Sequence, residues 1–518
     1  MDILGIITLP GWLVFILVII ITFYFYTARK HSLFKRYGIP AITPKPFIGG
    51  FPLLSKKGVM QCEYYATMTH GKCVGFFFGN MPTVFLTDPE IIREIFVKQF
   101  HKFPSRSQAL HISTFWEKTI LLTTKYDTWH FLRTTISPAF TSRKLRKMDS
   151  IVESNLNRMI KQLNDKFENT ELIIDMVSVF QGLTMDVICQ AAMGVKLDSS
   201  NDANNELRRQ VSGLLSWSIE KNPLLLLSFL IPDLKKVFKL FDIDFNNTKA
   251  IKYIGQCMEE IIKERKEQGN ADDVQDILQL MINKEDDNDD STVDPKDVED
   301  EQSLLEKPHR NMTDDEVIAN AIVFLFAGYD TTSTAMIFTS YFLAIHQDWQ
   351  EKIRQEINDK IGDKEPNYDN IQELANLEMF VSESMRIYPP VTRVNRQNEQ
   401  DSQVGQYNFP KNISITIPVF TLHRLPEFWP EPEKFDPLRF SSENKAKILP
   451  YTYCPFGIGP RNCVGLRFAK MELKMTMVKL LQNFQIKPSP GLSIPPKLDK
   501  HVFCRPIGGM KLLLEKRV

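Results

Sequence analysis

An uncharged apolar run at the N-terminus constrains the fold of this chain most strongly. Residues Ile3 to Ala28 include no charged side chain and are rich in Leu, Ile, Val and Phe. Because lipid cannot satisfy the hydrogen bonds of the backbone, a single run of this length crosses a bilayer as a helix. Residues 1-28 are therefore predicted to be a transmembrane anchor.

The charges on either side of this run predict its orientation. Arg29, Lys30, Lys35 and Arg36 follow it directly, whereas only Asp2 and the amino terminus precede it. The positive-inside rule then places the rest of the chain in the cytosol. A cleaved signal peptide would need a basic start, a shorter apolar core and a small-residue cleavage site, and a transit peptide would be Arg-rich. The sequence therefore predicts a single-pass anchor in the endoplasmic reticulum membrane.

Composition limits what the rest of the chain does. Lys+Arg and Asp+Glu both number 63, so no net charge steers the protein toward nucleic acid. The seven cysteines are scattered without a C-x-x-C pair, unlike a disulfide framework or a zinc site.

Three prolines at 40, 44 and 46 predict that residues 29-50 form a basic, proline-rich linker. Residues 51-518 then form one domain.

Strand signals are few, so helix is expected to dominate this domain. Val74 to Thr87 predicts a β-hairpin, and Asp88-Pro89 predicts the start of a helix. The acidic stretch Glu285 to Gln302 is typical of a solvated loop. Thr313 to Glu316 fits a capping box, and the proline-free apolar stretch Val317 to Ile345 predicts one long buried helix.

The middle of that long helix contains residues that its surroundings do not favour. Ala327-Gly328-Tyr329-Asp330-Thr331-Thr332 places a glycine, a carboxylate and two hydroxyls inside an apolar run. These residues lower helix propensity or are costly to bury. Local inconsistency of this kind indicates a functional site.

A glycine-rich loop places one cysteine at the start of another predicted helix. The loop runs from Phe456 to Gly465 and includes Cys463, and a helix-like stretch from Leu466 follows. Backbone N–H groups and the positive end of the helix dipole at this position are expected to lower the pKa of the thiol. A thiolate is an axial ligand of haem iron, and Arg461 offers a fixed cation to a propionate.

This loop resembles the cytochrome P450 signature F-x-x-G-x-R-x-C-x-G at every fixed position. Four further motifs agree with the family in wording and order, and these are W-x-x-x-R at Trp129–Arg133, A-G-x-[DE]-T-[TS] at Ala327–Thr332, E-x-x-R at Glu383–Arg386 and P-x-R-F at Pro437–Phe440. The resemblance covers about residues 35 to 515 and points to the animal microsomal branch with drug-oxidising and thromboxane-synthase-like members. It implies a cytochrome P450 fold, mainly α with small β-sheets, with 51-518 as the haem-thiolate catalytic domain.

The resemblance also implies a haem b cofactor and a role for each motif residue. Cys463 is expected to bind the iron. The residues expected to contact haem are Arg106, Trp129, Arg133, Ala327, Gly328, Arg393, Phe456, Gly459, Arg461, Cys463 and Gly465. Asp330 and Thr331 are expected to be catalytic, delivering protons to dioxygen beside the space that Gly328 leaves. Glu383, Arg386 and Arg439 are expected to form a structural network, since Glu383 and Arg386 are three apart on a helix.

No nucleotide-binding glycine motif is present, so electrons are expected from outside the chain. The resemblance implies NADPH-cytochrome P450 reductase, with cytochrome b5 as an auxiliary donor. Its predicted docking residues are Arg143, Arg146, Lys147, Lys470 and Lys474. A lipophilic substrate such as a steroid, fatty acid or xenobiotic is implied, in a pocket drawn from segments that include 107 to 120 and 212 to 241. The apolar segment Asn222 to Pro232 fits either a membrane contact or buried core.

Three other readings remain open at this point. A haem-thiolate isomerase or dehydratase acting on a peroxide would use the cysteine without dioxygen or reductase, and the intact Asp330-Thr331 pair argues against it. A non-catalytic haem-binding protein would not need every motif residue. A tethered structural protein without haem would leave the cysteine loop without a purpose.

Overall fold

The computed structural model describes residues 2–3, 7–8, 10–106, 113–199, 205–214, 222–241, 243, 247–268, 276–282 and 310–517. The acidic stretch Glu285 to Gln302 lies outside these residues. So do parts of the predicted substrate pocket, at 107–112 and 215–221.

The described residues are mainly helical, as the sequence predicted. Their α-helices are Gly11–His31, Leu33–Arg36, Phe51–Lys57, Val59–His70, Pro89–Arg93, Thr114–Glu117, Tyr126–Ile136, Ser142–Asp165, Met176–Met193, Glu206–Leu214, Pro223–Leu230, Lys235–Leu240, Thr248–Gln268, Ile277–Ile282, Asp314–Ile345, Gln347–Lys360, Ala375–Ile387, Val419–Leu422, Ser442–Lys445 and Leu466–Asn483. The turns Phe100–Lys102, Ser137–Phe140, Pro232–Leu234, Asn370–Glu373 and Pro437–Phe440 are 3-10 helical, and Glu94–Lys98 is a π-turn.

The strands form small sheets. One has four strands in the order Cys73–Phe78, Met81–Leu86, Ser414–Ile417 and Val394–Gln397. The first two strands are the predicted hairpin, with Gly75 opposite Val84, and Asp88 caps the next helix through the N–H groups of Glu90 and Ile91. Another sheet joins Phe484–Pro488, Lys511–Lys516 and Glu171–Asp175, and the remaining pairs are Ser402–Val404 with Tyr407–Phe409 and Asp2–Ile3 with Ile7–Thr8.

The helix Gly11–His31, named here the anchor helix, has the properties of a membrane span. Its apolar window has a mean hydropathy of 2.2 and is 6% buried, whereas the windows of Met176–Met193 and Asp314–Ile345 are 72% and 83% buried. The other two helices therefore obtain their apolar surroundings from protein. The anchor helix continues to His31, three residues beyond the predicted end of the anchor.

The predicted linker packs against the four-stranded sheet. Phe34 and Ile39 are buried in the same apolar cluster as Phe77 and Val84, and Ala41 forms a β-bridge with Gly75. The buried apolar side chains of this segment attach it to the domain. The division of the chain at residue 50 stays a prediction.

The helix Asp314–Ile345, named here the central helix, organises the core. The predicted capping box is confirmed, because Thr313 accepts the N–H of Glu316 while the Glu316 carboxylate accepts the N–H of Thr313. The helix is apolar on all sides, which is the pattern of a helix with no face left for solvent. It packs against Met176–Met193, Ala375–Ile387 and Leu466–Asn483, the last named here the cysteine helix.

Candidate functional site

The loop from residue 456 to 465, named here the cysteine loop, is held by its own backbone. The N–H of Cys463 donates to the carbonyl of Phe456 at 2.9 Å, and the N–H of Asn462 donates to that of Gly459 at 2.9 Å. Gly459 has a φ of +73°, and a Cβ there would lie 1.9 Å from the carbonyl oxygen of Phe96. Only glycine satisfies both conditions. The structure therefore explains Gly459 by contact with Phe96.

The Cys463 thiol is exposed, although protein surrounds it closely enough to perturb its pKa. Burial raises the pKa of the thiol above its usual value, while the N–H of Gly465 and the charges of Arg133 and Arg106 lower it. The predicted lowering of this pKa by backbone N–H is confirmed at Gly465, but desolvation is larger, so the net shift is upward.

Four arginines surround this end of the cysteine loop. The charge of Arg461 interacts with those of Arg106, Arg133 and Arg396, and Arg106 and Arg133 also act on Cys463. Burial lowers the pKa of Arg106 to about 10 and those of Arg396 and Arg461 well below the usual arginine value. Like charges brought together in a buried place are unfavourable unless an anion compensates them.

Backbone carbonyls hold these arginines in position. Arg461 donates to the carbonyls of Pro104 at 2.7 Å and Thr123 at 2.6 Å. Arg133 makes two hydrogen bonds to Asn462, one to its carbonyl at 3.1 Å and one to its side chain at 2.8 Å. Trp129 lies one helical turn before Arg133, and the Arg461 guanidinium lies 5.5 Å from its ring centroid. The motif residues Trp129, Arg133 and Arg461 therefore meet at one place.

Sequence reasoning selected Arg393 for this group, and the structure brings Arg396 to it instead. Arg393 forms an ion pair with buried Glu63 at 2.7 Å. Arg396 is 1% exposed, donates to the carbonyl of Ile458 in the cysteine loop at 3.3 Å, and lies over the ring of Phe96. Both arginines are near one strand, so spacing alone could not separate them. The aromatic contacts that bury Arg396 come from distant segments.

The oxygen-activation motif lies on the central helix at a place where its burial is interrupted. Ala327, Gly328 and Thr331 are partly exposed, while Asp330 and most other residues of this helix are buried. Ala327 and Thr331 are four apart and share a face. The Thr331 hydroxyl donates to the carbonyl of Ala327 at 2.7 Å. A local hydrogen bond thus holds the hydroxyl beside the helix.

Asp330 has a partner that the sequence did not reveal. Arg505 donates to its carboxylate at 2.8 Å, and 34% of the Arg505 side chain is exposed, against 4% for Asp330. Arg505 lies on a loop whose neighbour Cys504 donates its N–H to the carbonyl of Pro390. The buried carboxylate is therefore connected to solvent through one arginine.

Gly328 lies at a close helix crossing. A Cβ at this position would lie 2.8 Å from the Cδ1 atom of Ile188, on the neighbouring helix Met176–Met193. The two helices cross closely here, and Thr184 donates its hydroxyl to the carbonyl of Tyr329 at 2.9 Å. The space predicted for dioxygen stays a prediction, and the helix crossing is a separate reason for this glycine.

The predicted pairing of Glu383 with Arg386 is confirmed. Both side chains are 0% exposed and make two hydrogen bonds, at 2.7 and 2.8 Å. Arg386 also donates to the carbonyl of His423, and Glu383 accepts the N–H of Asp436. Arg439 completes the network at 3.5 Å from Glu383. These contacts join the helix Ala375–Ile387 to the segment before the cysteine loop.

The residues predicted to dock the reductase differ in how accessible their charged groups are to a partner. Lys474 is 4% exposed and contacts Glu378 and the carbonyl of Ile371, so this prediction was wrong: its ammonium is occupied inside the protein. Lys470 also pairs with Glu378, at 2.6 Å. Arg146 is bound to Asp369. The sequence showed the positive charges but not their acidic neighbours.

These residues fit a haem group. Among the described residues, no carboxylate lies within ion-pair distance of Arg106, Arg396 or Arg461, and the Nε atom of each is buried without a hydrogen-bond partner. The charge of Glu117 acts on Arg461 at longer range. An anionic group placed against the three arginines would add the direct partner that they lack, and haem carries two propionates. The Cys463 thiol lies near Arg106 and Arg133, and a thiolate is one of the axial ligands that haem iron takes in proteins.

Comparison with known proteins gives the same assignment. The chain matches the family model described as cytochrome P450 over residues 39–514. It is 33% identical over 508 residues to cytochrome P450 3A9 of Rattus norvegicus, which covers 98% of this chain and 96% of that protein. It is 34% identical over 508 residues to cytochrome P450 3A11 of Mus musculus, with the same coverage.

Proposed function

The chain belongs to the cytochrome P450 family and is a monooxygenase, and we propose that it inserts one oxygen atom of dioxygen into a lipophilic small molecule at a haem bound by Cys463. The observation that supports this most is the Cys463 thiol beside buried arginines, three of which have no described carboxylate partner.

Each part of the site has a defined task in this proposal. Bound haem iron with a thiolate ligand supplies the chemistry that cleaves dioxygen and oxidises carbon. Arg106, Arg133, Arg396 and Arg461 hold the propionates, since guanidinium groups match carboxylates in geometry and keep their charge. The N–H of Gly465 and the nearby arginine charges favour the sulfur anion, and coordination to a metal deprotonates a thiol outright.

Asp330 and Thr331 serve proton delivery. Dioxygen cleavage consumes protons, so a buried site needs a group that carries them in. Arg505 links the Asp330 carboxylate to solvent, and the Thr331 hydroxyl is a donor on the partly exposed face of the central helix. The Thr331 hydroxyl gives its own proton to the dioxygen substrate and takes a replacement that enters from solvent past Arg505 and Asp330.

The rest of the proposal concerns location and partners. The enzyme is proposed to lie on the cytosolic face of the endoplasmic reticulum, and the anchor helix with the basic residues after it supports this location. Electrons come from NADPH through a separate reductase, with cytochrome b5 as an auxiliary donor. Substrates are steroids, fatty acids or xenobiotics, which partition into the same membrane.

The test compares two reactions of the full-length protein in lipid nanodiscs. With reductase, NADPH and a steroid panel, the wild type is expected to consume dioxygen and form hydroxylated product. Asp330→Asn is expected to lower product formation at least tenfold and to increase the solvent isotope effect. Asp315→Asn is the matched control, since this exposed residue lies on the first turn of the same helix.

The result also decides between alternatives. Turnover of a lipid hydroperoxide without dioxygen, reductase or NADPH, together with no dioxygen-dependent product, would contradict the proposal and establish an isomerase or dehydratase. Haem binding without either reaction would indicate a non-catalytic haem protein.

A further inference from the structure

A buried histidine, His423, connects the pair Glu383–Arg386 to the start of the cysteine loop. It follows the short helix Val419–Leu422 and is fully buried. The Arg386 guanidinium donates to the carbonyl of His423 at 2.8 Å, and Nδ1 of the His423 ring lies 3.1 Å from the carbonyl of Arg386. Each residue therefore contacts the other through both its backbone and its side chain. Sequence reasoning assigned no role to this histidine.

The hydrogen bonds of the His423 ring determine which nitrogen carries its proton. The N–H of Cys454 donates to Nε2 of the ring at 2.9 Å. A backbone N–H only donates, so Nε2 is the acceptor and carries no proton. In a neutral imidazole the proton is then on Nδ1, which donates to the carbonyl of Arg386. The ring is therefore the Nδ1–H tautomer, with a different backbone group at each nitrogen.

The surroundings also fix the charge and the orientation of this ring. Burial, followed by the charge of Arg386, lowers the pKa of His423 to about 3. A protonated ring would place an N–H donor against the N–H donor of Cys454. The Tyr453 ring stacks on the imidazole with centroids 5.3 Å apart, and the Tyr453 hydroxyl donates to the carbonyl of Ser382 at 2.9 Å. The neutral imidazole is therefore held between the helix Ala375–Ile387 and the chain before the cysteine loop.

Backbone hydrogen bonds continue from Cys454 to the thiol-bearing residue. The carbonyl of Cys454 accepts the N–H of Gly457 at 3.0 Å, and the carbonyl of Phe456 accepts the N–H of Cys463 at 2.9 Å. Gly457 has a φ of +81°, a conformation that glycine adopts readily and that turns the chain here. His423 thus holds the first residue of a turn, and the far side of that turn is bonded to Cys463.

The acceptor on His423 matters because the Cys454 N–H is enclosed by protein. Cys454 is 2% exposed, so water does not replace a lost acceptor without a movement of the chain. A buried N–H without an acceptor is unfavourable, and the backbone moves to satisfy it. Coordination of a metal requires its ligand atom at a defined distance. A movement of this turn is therefore transmitted to the sulfur of Cys463.

We propose that His423 is a positioning residue for Cys463, because it holds the turn at Cys454 and so keeps the sulfur where haem iron can bind it. This inference rests on the proposed ligation of the iron by Cys463. It gives the Glu383–Arg386 pair a path to the iron ligand, since the imidazole that accepts the Cys454 N–H also donates to Arg386. The ring acts as one donor and one acceptor, and it transfers no proton during the reaction.

Two substitutions separate the two hydrogen bonds of the ring. The amide oxygen of His423→Gln reaches the position of Nε2 and accepts the Cys454 N–H, whereas the shorter side chain of His423→Asn reaches only the position of Nδ1. Each variant is prepared as the full-length haem protein in nanodiscs, and its reduced carbon monoxide spectrum is followed in mild urea. We expect the red-shifted band to convert to an unshifted band at least tenfold faster in His423→Asn than in the wild type. The rate in His423→Gln is expected to stay within twofold of the wild type.

A second histidine provides the matched control. The His346 ring also stacks on an aromatic ring, that of Phe435, with centroids 4.7 Å apart, but it lies at the C-terminal end of the central helix. His346→Asn is therefore expected to keep the conversion rate of the wild type. Circular dichroism of each variant reports whether the domain is folded.

Hydrogen exchange measures the same contact without using the haem. The N–H of Cys454 is expected to exchange slowly in the wild type and in His423→Gln, and at least tenfold faster in His423→Asn. The N–H of residue 423, which donates to the carbonyl of Val419 at 3.0 Å, is the internal reference and is expected to keep its rate. Exchange of the Cys454 N–H at the rate of an exposed amide in the wild type would overturn the proposal, even if a variant does not fold.

The outcomes separate this role from the proposed function. If the wild type shows the red-shifted band but His423→Gln and His423→Asn lose it at the same rate, the positioning role is refuted and iron ligation by Cys463 is retained. Loss of the band in His423→Gln while the Cys454 N–H stays protected would also refute the positioning role. A folded wild type without the band would instead refute the proposed function, on which this role depends.

Discussion

The buried pair Glu383–Arg386 gives a prediction whose size follows from burial alone. Glu383→Gln keeps the shape of the side chain and removes its charge, which leaves Arg386 buried with only carbonyl acceptors. Removing one partner of a fully buried ion pair costs about 3–5 kcal/mol. The folding equilibrium constant is therefore expected to fall by about two to four orders of magnitude.

The chain provides a control with the same spacing and chemistry. Glu351 and Arg354 are also three residues apart on a helix and hydrogen bonded, but their side chains are 44% and 31% exposed. Solvent and side-chain entropy reduce the value of such a pair to about 0–1 kcal/mol. Glu351→Gln is therefore expected to change stability little.

The assay is urea unfolding of the full-length protein in one detergent, followed by tryptophan fluorescence. Reversibility is checked by refolding on dilution, since irreversible unfolding would report a rate. We expect a large fall in the midpoint for Glu383→Gln and almost none for Glu351→Gln. Equal shifts for the two variants would refute the reasoning that burial decides the cost.

Three other predictions concern the site and its support. Arg396→Met is expected to accelerate haem transfer to apomyoglobin at least tenfold because it removes an uncompensated cation, whereas Arg393→Met is expected to change it less; the reverse order would contradict the assignment. Gly328→Ala is expected to cost about 1–3 kcal/mol through its contact with Ile188. In an Ile188→Ala background the same change is expected to cost almost nothing in a double-mutant cycle, and simple additivity would argue against the contact. Burial raises the pKa of Glu63 from 4.5 to about 7, so its neutral form stabilises the fold at low pH and this contribution is lost as the pH rises through 7. Glu63→Gln is expected to reduce the decrease in unfolding free energy between pH 4.5 and about pH 7. An unchanged slope of unfolding free energy against pH would show that another group causes this decrease.

Local sequence patterns predicted those features that depend on neighbours along the chain. The capping box at Thr313, the length of the central helix and the pairing of Glu383 with Arg386 all follow from spacing within one helix. The hairpin at residues 73 to 86 follows from alternation around one turn. These features are confirmed because no distant segment competes with them.

Features set by distant contacts were not predictable in this way. Arg505 lies 175 residues from Asp330, and only the folded chain brings them together. The sequence predicted that Gly459 contacts the cofactor and that Gly328 leaves space for oxygen. The structure adds a packing contact at each position, with the carbonyl of Phe96 at Gly459 and the side chain of Ile188 at Gly328. The net upward shift of the Cys463 thiol pKa was missed for the same reason. It comes from desolvation, which depends on packing that a linear pattern does not contain.

The most direct test of the central claim is a carbon monoxide difference spectrum of the reduced full-length protein. Cys463→Ala removes the proposed iron ligand, and Cys454→Ala removes a buried thiol nine residues earlier as the matched control. Iron ligation by Cys463 predicts a strongly red-shifted Soret band in the wild type and in Cys454→Ala, and its loss in Cys463→Ala with unchanged circular dichroism. A band that survives in Cys463→Ala, or that is absent from well-folded wild type, would contradict it.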